Sequence, residues 1–141
     1  MDFFELRAAR GEIADEESER FATLAIGASI EVHEALGPGH AEKVYEAALC
    51  HELDLRGIPY QRQVPVMLFY KGKQVGEGWI DILVGDRLVL ELKSVEQLVK
   101  VHRGQVVAYL AATKLRLGLL MNFNVEQMRQ GIKRVVRDPR T

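Results

Sequence analysis

The chain has 141 residues, which is enough for one domain with its own core. Apolar residues make up 48% and charged residues 28%, which excludes a disordered or low-complexity chain, and no apolar run is long enough to span a membrane. The net charge of −1 is unevenly divided: residues 1–92 carry 9 Lys/Arg and 17 Asp/Glu, whereas residues 93–141 carry 10 and 3, so the C-terminal third could present a basic surface to phosphates, although charge alone favours solvated faces whose opposite charges pair within the fold.

Residues 1–19 hold seven Asp/Glu against Arg7 and Arg10, which predicts an acidic tail or a loosely docked helix ahead of a single domain over 20–141. The start is acidic rather than basic and apolar, so it does not look like a signal peptide. A helix is expected from about Glu19 to Leu36, where Phe21, Leu24, Ala25, Ala28, Val32 and Ala35 recur at helical spacing. Gly37-Pro38-Gly39 stops it. A second helix is expected from His40 to Arg56, with Val44, Ala48 and Leu55 on its apolar face and Gly57 ending it. Cys50, the one cysteine, leaves no disulfide framework and suits a reducing, cytoplasmic setting. His33, His40, His51 and Cys50 lack metal-ligand spacing.

The pattern then becomes extended. Tyr60–Tyr70 reads as a strand whose Pro65 suits an edge or a bulge. Lys71-Gly72-Lys73 turns the chain into strands over Gln74–Val84 and Arg87–Lys93. Ser94 is placed to cap a long helix from about Val95 to Lys114. Leu115–Phe123 returns to the sheet, and a short helix near Val125–Gln130 leads to a last extended piece at Ile132–Val136. The order predicts an α/β fold with a mixed sheet flanked by helices.

Ile80, Ile82 and Val84 share one face of their strand, and Leu88, Leu90 and Leu92 share one face of the next. A three-residue loop, Gly85-Asp86-Arg87, brings both apolar sets to the same core and pairs Asp81 with Glu91. Directly opposed side chains start about 5 Å apart at Cβ, and two carboxylates at that range need a compensating charge. Mg²⁺ or Mn²⁺ would supply it. Lys93 follows Glu91 on the same face, where its ammonium could hold a phosphate, orient a water or steady developing negative charge. Asp, about ten residues, then Glu-x-Lys is a loose pattern on its own. Gln105 and Tyr109 share a helix face, with His102 one turn earlier. Glu42 opens the second helix, where a carboxylate suits the dipole and could also project toward Asp81 and Glu91, with Tyr45 one turn on.

Gly39, Glu42 and Tyr45 within Gly-Pro-Gly-His-Ala-Glu-Lys-Val-Tyr-Glu, together with Gln63-Val64-Pro65-Val66, Tyr70-Lys71-Gly72, Glu91-Leu92-Lys93-Ser94, Gln105-x-x-x-Tyr109 and Gly118–Phe123, resemble the GxxExxY family of the PD-(D/E)xK nuclease superfamily over about residues 20–136. The resemblance implies a restriction-endonuclease-like α-β-β-β-α-β core. It implies Asp81 and Glu91 as ligands of Mg²⁺ or Mn²⁺, with Glu42 as a third carboxylate. Lys93 is then the catalytic lysine, Gln105 a catalytic partner, and Tyr109, His102 and Tyr45 supporting or nucleic-acid-binding residues. Ile80 stands where the superfamily's name has Pro. The function implied is a metal-dependent nuclease with DNA as the expected substrate. The rival is a non-catalytic nucleic-acid-binding or protein-interaction module on the same fold. No membrane partner is expected, and homo-oligomer formation is left open.

Overall fold

The computed structural model describes residues 2–10 and 14–138. In chain order the elements are helices α1 (Phe3–Ala9), α2 (Glu16–Leu36) and α3 (Glu42–Leu55), strands β1 (Tyr60–Tyr70), β2 (Lys73–Val84) and β3 (Leu88–Lys93), helix α4 (Lys100–Thr113), strand β4 (Leu117–Asn122), a 3-10 turn at Met128–Gly131, and strand β5 (Ile132–Val136). The strands form one mixed sheet in sequence order. Only β3 and β4 run parallel, and α4 makes the crossover between them. This is the mixed sheet flanked by helices expected from the order of elements, and it agrees with the restriction-endonuclease-like core that the resemblance implies. No helix among the described residues is long and apolar enough to cross a membrane.

Each face of the sheet has its own core. On one side α2 and α3 pack Phe21, Ala25, Leu49 and Leu53 against Ile82, Leu90, Leu92 and Phe123. On the other, α4 lays Val106, Tyr109 and Leu110 over Val66, Ile80, Val89 and Leu120. Strands β3 and β4 are therefore buried on both faces, which explains why they read as nearly unbroken apolar runs.

Helix α2 begins three residues earlier than expected. Asp15 caps it by accepting the Ser18 N–H at 2.9 Å, and its carboxylate also pairs with Arg87 at 3.0 Å, tying the helix start to the β2–β3 loop. The stop at Gly37 is as expected: φ is 69° and its N–H returns to the His33 carbonyl. Helix α3 turns a different face inward from the one its apolar spacing suggested. Tyr45, Glu46, Leu49, Cys50 and Leu53 are buried, whereas Val44 and Leu55 are exposed. The reason is the stripe Tyr45–Leu49–Leu53, whose first ring stacks on Phe123 at 4.6 Å.

Helix α4 starts at Lys100 rather than Val95. The side chain of Asn122 holds the Val95 backbone at both ends, accepting its N–H at 3.1 Å and donating to its carbonyl at 2.9 Å, which keeps this turn out of the helix. Ser94 does not cap the helix; its hydroxyl donates to the His40 carbonyl at 2.6 Å, joining the end of β3 to the loop before α3.

Strand β1 lies at the sheet edge, where Pro65, across from Trp79, is tolerated although it lacks an N–H. Its turn to β2 is tight, with Lys71 and Gly72 at φ 49° and 82°. Ile80 departs from the expected face: it packs under α4, while Ile82 and Val84 pack toward α2 and α3. Across from Asp81 in β1, Gln63 has φ 53°, and a left-handed residue inside a strand breaks the two-residue alternation. Both strands change faces at this point.

Candidate active site

The site forms where β2 and β3 part. Their backbone pairing runs Val84↔Leu88, Leu83↔Val89 and Ile82↔Leu90, as the three-residue loop requires, and then stops. At the next position the side chains take over. The Asp81 N–H donates to Glu91 Oε1 at 3.2 Å, and the Leu92 N–H donates to Asp81 Oδ2 at 2.8 Å. Each carboxylate thus stands in for a missing strand carbonyl. The opened strands hold two acidic groups between them with their backbone donors satisfied.

Glu91 is only 2% exposed. Burial, with the Asp81 charge adding, pushes its carboxyl up to about 8. Asp81 is raised as well, by burial against the opposing Leu92 N–H, with the Glu46 charge adding. Glu42, at the exposed start of α3, is raised by burial; Lys93 opposes the shift and Asp81 and Glu46 reinforce it. Glu42, Glu46, Asp81, Glu91 and Lys93 therefore share one field. Lys93 is half-buried at the end of β3 and is the cation common to Glu42, Asp81 and Glu91.

Glu46 is the residue that sequence reasoning missed. It is 5% exposed, pairs with Arg62 at 2.8 Å, and accepts from the Gln63 amide. The same amide donates to Asp81 Oδ1 at 3.3 Å, so Gln63 bridges α3 to β2. One signal was present: Glu46 lies four residues after Glu42, on the same helix face.

The other expected residues fall in two groups. Gln105 and Tyr109 are together, the Gln105 amide donating to Tyr109 Oη at 3.4 Å. The same Oη accepts the Trp79 N–H at 3.3 Å, and the ring lies over Gly78, where an added Cβ would come within 2.5 Å of Oη. Tyr109 thus clamps α4 onto β2 two residues before Asp81. His102 is turned to its own helix, Nδ1 accepting the Val99 N–H at 3.0 Å at the start of α4. Tyr45 is fully buried; its hydroxyl donates to the Gly37 carbonyl and accepts the His40 N–H. It fixes the Gly37–His40 turn and so the start of α3 that carries Glu42. His33, likewise, is a buried residue bonded to the Val125 carbonyl.

Among the described residues no three His, Cys, Asp or Glu groups are placed to hold one metal ion between them. The donors that are adjacent, Asp81 and Glu91, are hard carboxylate oxygens. Two such groups with the remaining positions left to water suit Mg²⁺ or Mn²⁺, which bind through few carboxylates and keep several waters. The raised Glu91 pKa is the electrostatic counterpart: burial, with the Asp81 charge adding, disfavours a second negative charge there, and a bound cation would offset both.

The family model that matches the chain is that of the PD-(D/E)XK nuclease superfamily, over residues 19–135, a span that holds Glu42, Glu46, Gln63, Asp81, Glu91, Lys93, Gln105 and Tyr109. No curated protein and no solved structure matches it.

Proposed function

The chain belongs to the PD-(D/E)XK nuclease superfamily, and from that premise we propose that it is a divalent-metal-dependent nuclease that hydrolyses phosphodiester bonds in DNA. One observation carries the proposal. Asp81 and Glu91 face each other where β2 and β3 open, with Lys93 two residues beyond, so carboxylates and a cation meet at one gap.

In this reading Asp81 and Glu91 would hold Mg²⁺ or Mn²⁺, and Glu42, exposed and in the same field, would add a third carboxylate. The metal, when bound, supplies a Lewis acid that offsets phosphate charge and makes water a better nucleophile. The protein's own part is positional. The Leu92 N–H and the Gln63 amide fix Asp81; the Asp81 N–H fixes Glu91. The Lys93 ammonium orients the attacking water and steadies negative charge as it builds on the phosphate. Gln105, bonded to Tyr109, would meet a phosphate or its water, while Tyr109 keeps α4 against β2. His102 is read as a contact for the nucleic acid, and Tyr45 supports the turn behind Glu42. The reading sets the chain in the cytoplasm, where the single free cysteine, Cys50, stays reduced.

The test is cleavage of single-stranded, duplex and branched DNA by purified protein with Mn²⁺ or Mg²⁺. Wild type should cut at least one of them, chelator should stop it, and Lys93→Ala should lower the rate by on the order of a hundredfold or more. Wild type and Lys93→Ala behaving alike on all three would sink the nuclease reading and favour the binding module.

A further inference from the structure

Strands β1 and β2 run well past β3 as a two-stranded arm. One face of the arm is covered: Val66 and Ile80 are buried beneath Val106, Tyr109 and Leu110 of α4. The opposite face is bare, and it is not polar as an open sheet face normally is. In the register, Pro65 lies across from Trp79 and Met67 across from Glu77; Met67 is 57% exposed and Trp79 49%. At the tip Phe69 continues the Pro65–Met67 alternation and Tyr70 follows at the turn on the other side of the strand, both more than 60% exposed, with the Lys71 ammonium 5.3 Å from the Tyr70 ring and Lys73 across from Tyr70. Large rings in water next to lysines need a reason.

We propose that this bare face of the β1–β2 arm is a stacking platform for an unpaired nucleic acid strand that leads into the Asp81–Glu91 gap, which makes single-stranded or frayed nucleic acid the substrate class. The inference deepens the nuclease reading and rests on it. Three features select this occupant over a protein partner. First, the platform is continuous with the site: Trp79 is two residues from Asp81 along β2, and Pro65 is two from Gln63, which holds Asp81. Second, the tip sets two cations, Lys71 and Lys73, beside the rings of Phe69 and Tyr70. Residues 65–80 carry Lys71 and Lys73 against a single acid, Glu77, in a chain whose first 92 residues are otherwise strongly acidic. Bases stack on rings while lysines follow the phosphates, and a base inside a duplex has no free face to offer. Third, the platform is rigid at its root. The Trp79 N–H is held by Tyr109 Oη, and Gly78 lets that ring sit against the strand. From Trp79 to Lys73 the arm spans about 20 Å, on the order of three to six nucleotides.

Trp79 is the chain's only tryptophan, so its fluorescence reports the platform directly. Metal-free protein in chelator would be titrated with oligo(dT), oligo(rU) and a duplex of equal length. The single strands should quench the emission, in a manner weakened by salt, and the duplex should do so at least tenfold more weakly. Phe69→Ala with Tyr70→Ala keeps the reporter and should weaken oligo(dT) binding roughly tenfold. Trp79→Ala should lower binding, followed by a labelled oligonucleotide, and raise KM for cleavage more than it lowers kcat; Trp79→Phe should restore both. Which of the two strands binds tighter tells DNA from RNA. No quenching, equal quenching by duplex, or emission that changes with protein concentration alone, as a second copy covering Trp79 would cause, overturns the platform. Cleavage that persists unchanged in Trp79→Ala overturns it while leaving the nuclease reading intact. Quenching without cleavage under any metal does the reverse.

Discussion

Strands β2 and β3 meet in two ways along one short stretch. From Ile82 to Val84 they pair through the backbone with Leu88–Leu90, and Ile82, Val84, Leu88 and Leu90 are all fully buried in the core beneath α2 and α3. At Asp81 and Glu91 they pair through carboxylates, each accepting a backbone N–H of the other strand's segment. The first arrangement satisfies donors and buries methyl groups, and every local choice agrees with the fold. The second satisfies the same donors but brings two acids together in a poorly hydrated gap. Stability is given up where charge is to be handled, one residue away from where it is gained.

The sharpest way to break this comparison is Asp81→Asn. The amide oxygen can still accept the Leu92 N–H, so the strands keep their opening. Cleavage should fall by on the order of a thousandfold, about 4 kcal/mol of barrier. Metal-free protein at alkaline pH should instead become more stable, because the Asp81 charge is one of the causes that raise Glu91. Rate assays with Mn²⁺ and urea melts in chelator measure the two sides. A variant that is both active and no more stable would mean the acids do not oppose each other.

Leu90→Ala addresses the paired half. The side chain is fully buried, and removing it should destabilise by about 3 kcal/mol, from lost burial and the cavity left behind. The rate per folded molecule should change little. Should the rate collapse as it does in Asp81→Asn while the protein remains folded by circular dichroism, the two halves are not separable.

What could be read in advance follows the same division. The paired half was legible because alternation and loop length are local: Ile82, Val84, Leu88 and Leu90 and a three-residue loop admit one register. The opposition of Asp81 and Glu91 follows from it. Ile80 was not legible, because the change of face depends on the φ of Gln63 in another strand. The start of α4 depends on Asn122, 27 residues from Val95, and no periodicity near Ser94 signals that tether. Glu46 showed its helical spacing from Glu42, but its burial depends on Arg62 and Gln63 reaching across from β1. Tyr45 and Tyr109 were picked out by their motifs. That they work as buried braces, one behind Glu42 and one behind Trp79, depends on contacts formed only in the fold.

Glu91→Gln tests the comparison through pH. In the folded chain the Glu91 carboxyl lies near 8, above the ordinary 4.5. Between those values the unfolded chain has lost the proton and the folded chain keeps it, so the folded state binds more protons and stability falls as pH rises. The contribution is complete below 4.5 and is lost as pH climbs through about 8. Without metal, roughly 2 kcal/mol should disappear between about pH 6 and pH 8. Glu91→Gln has no proton to lose and should flatten most of that slope, the remainder coming from Asp81, whose carboxyl is raised in the same direction. Mg²⁺ or Mn²⁺ favours the ionised pair, so in wild type it should raise Tm more at pH 8 than at pH 6, and Glu91→Gln should reduce that gain. Thermal melts of the two proteins, with chelator and with metal, measure all four slopes. A wild-type slope no steeper than that of Glu91→Gln would show that Glu91 is already ionised in the fold, and the opened end would then hold its two charges without the strain that sets it apart from the paired end.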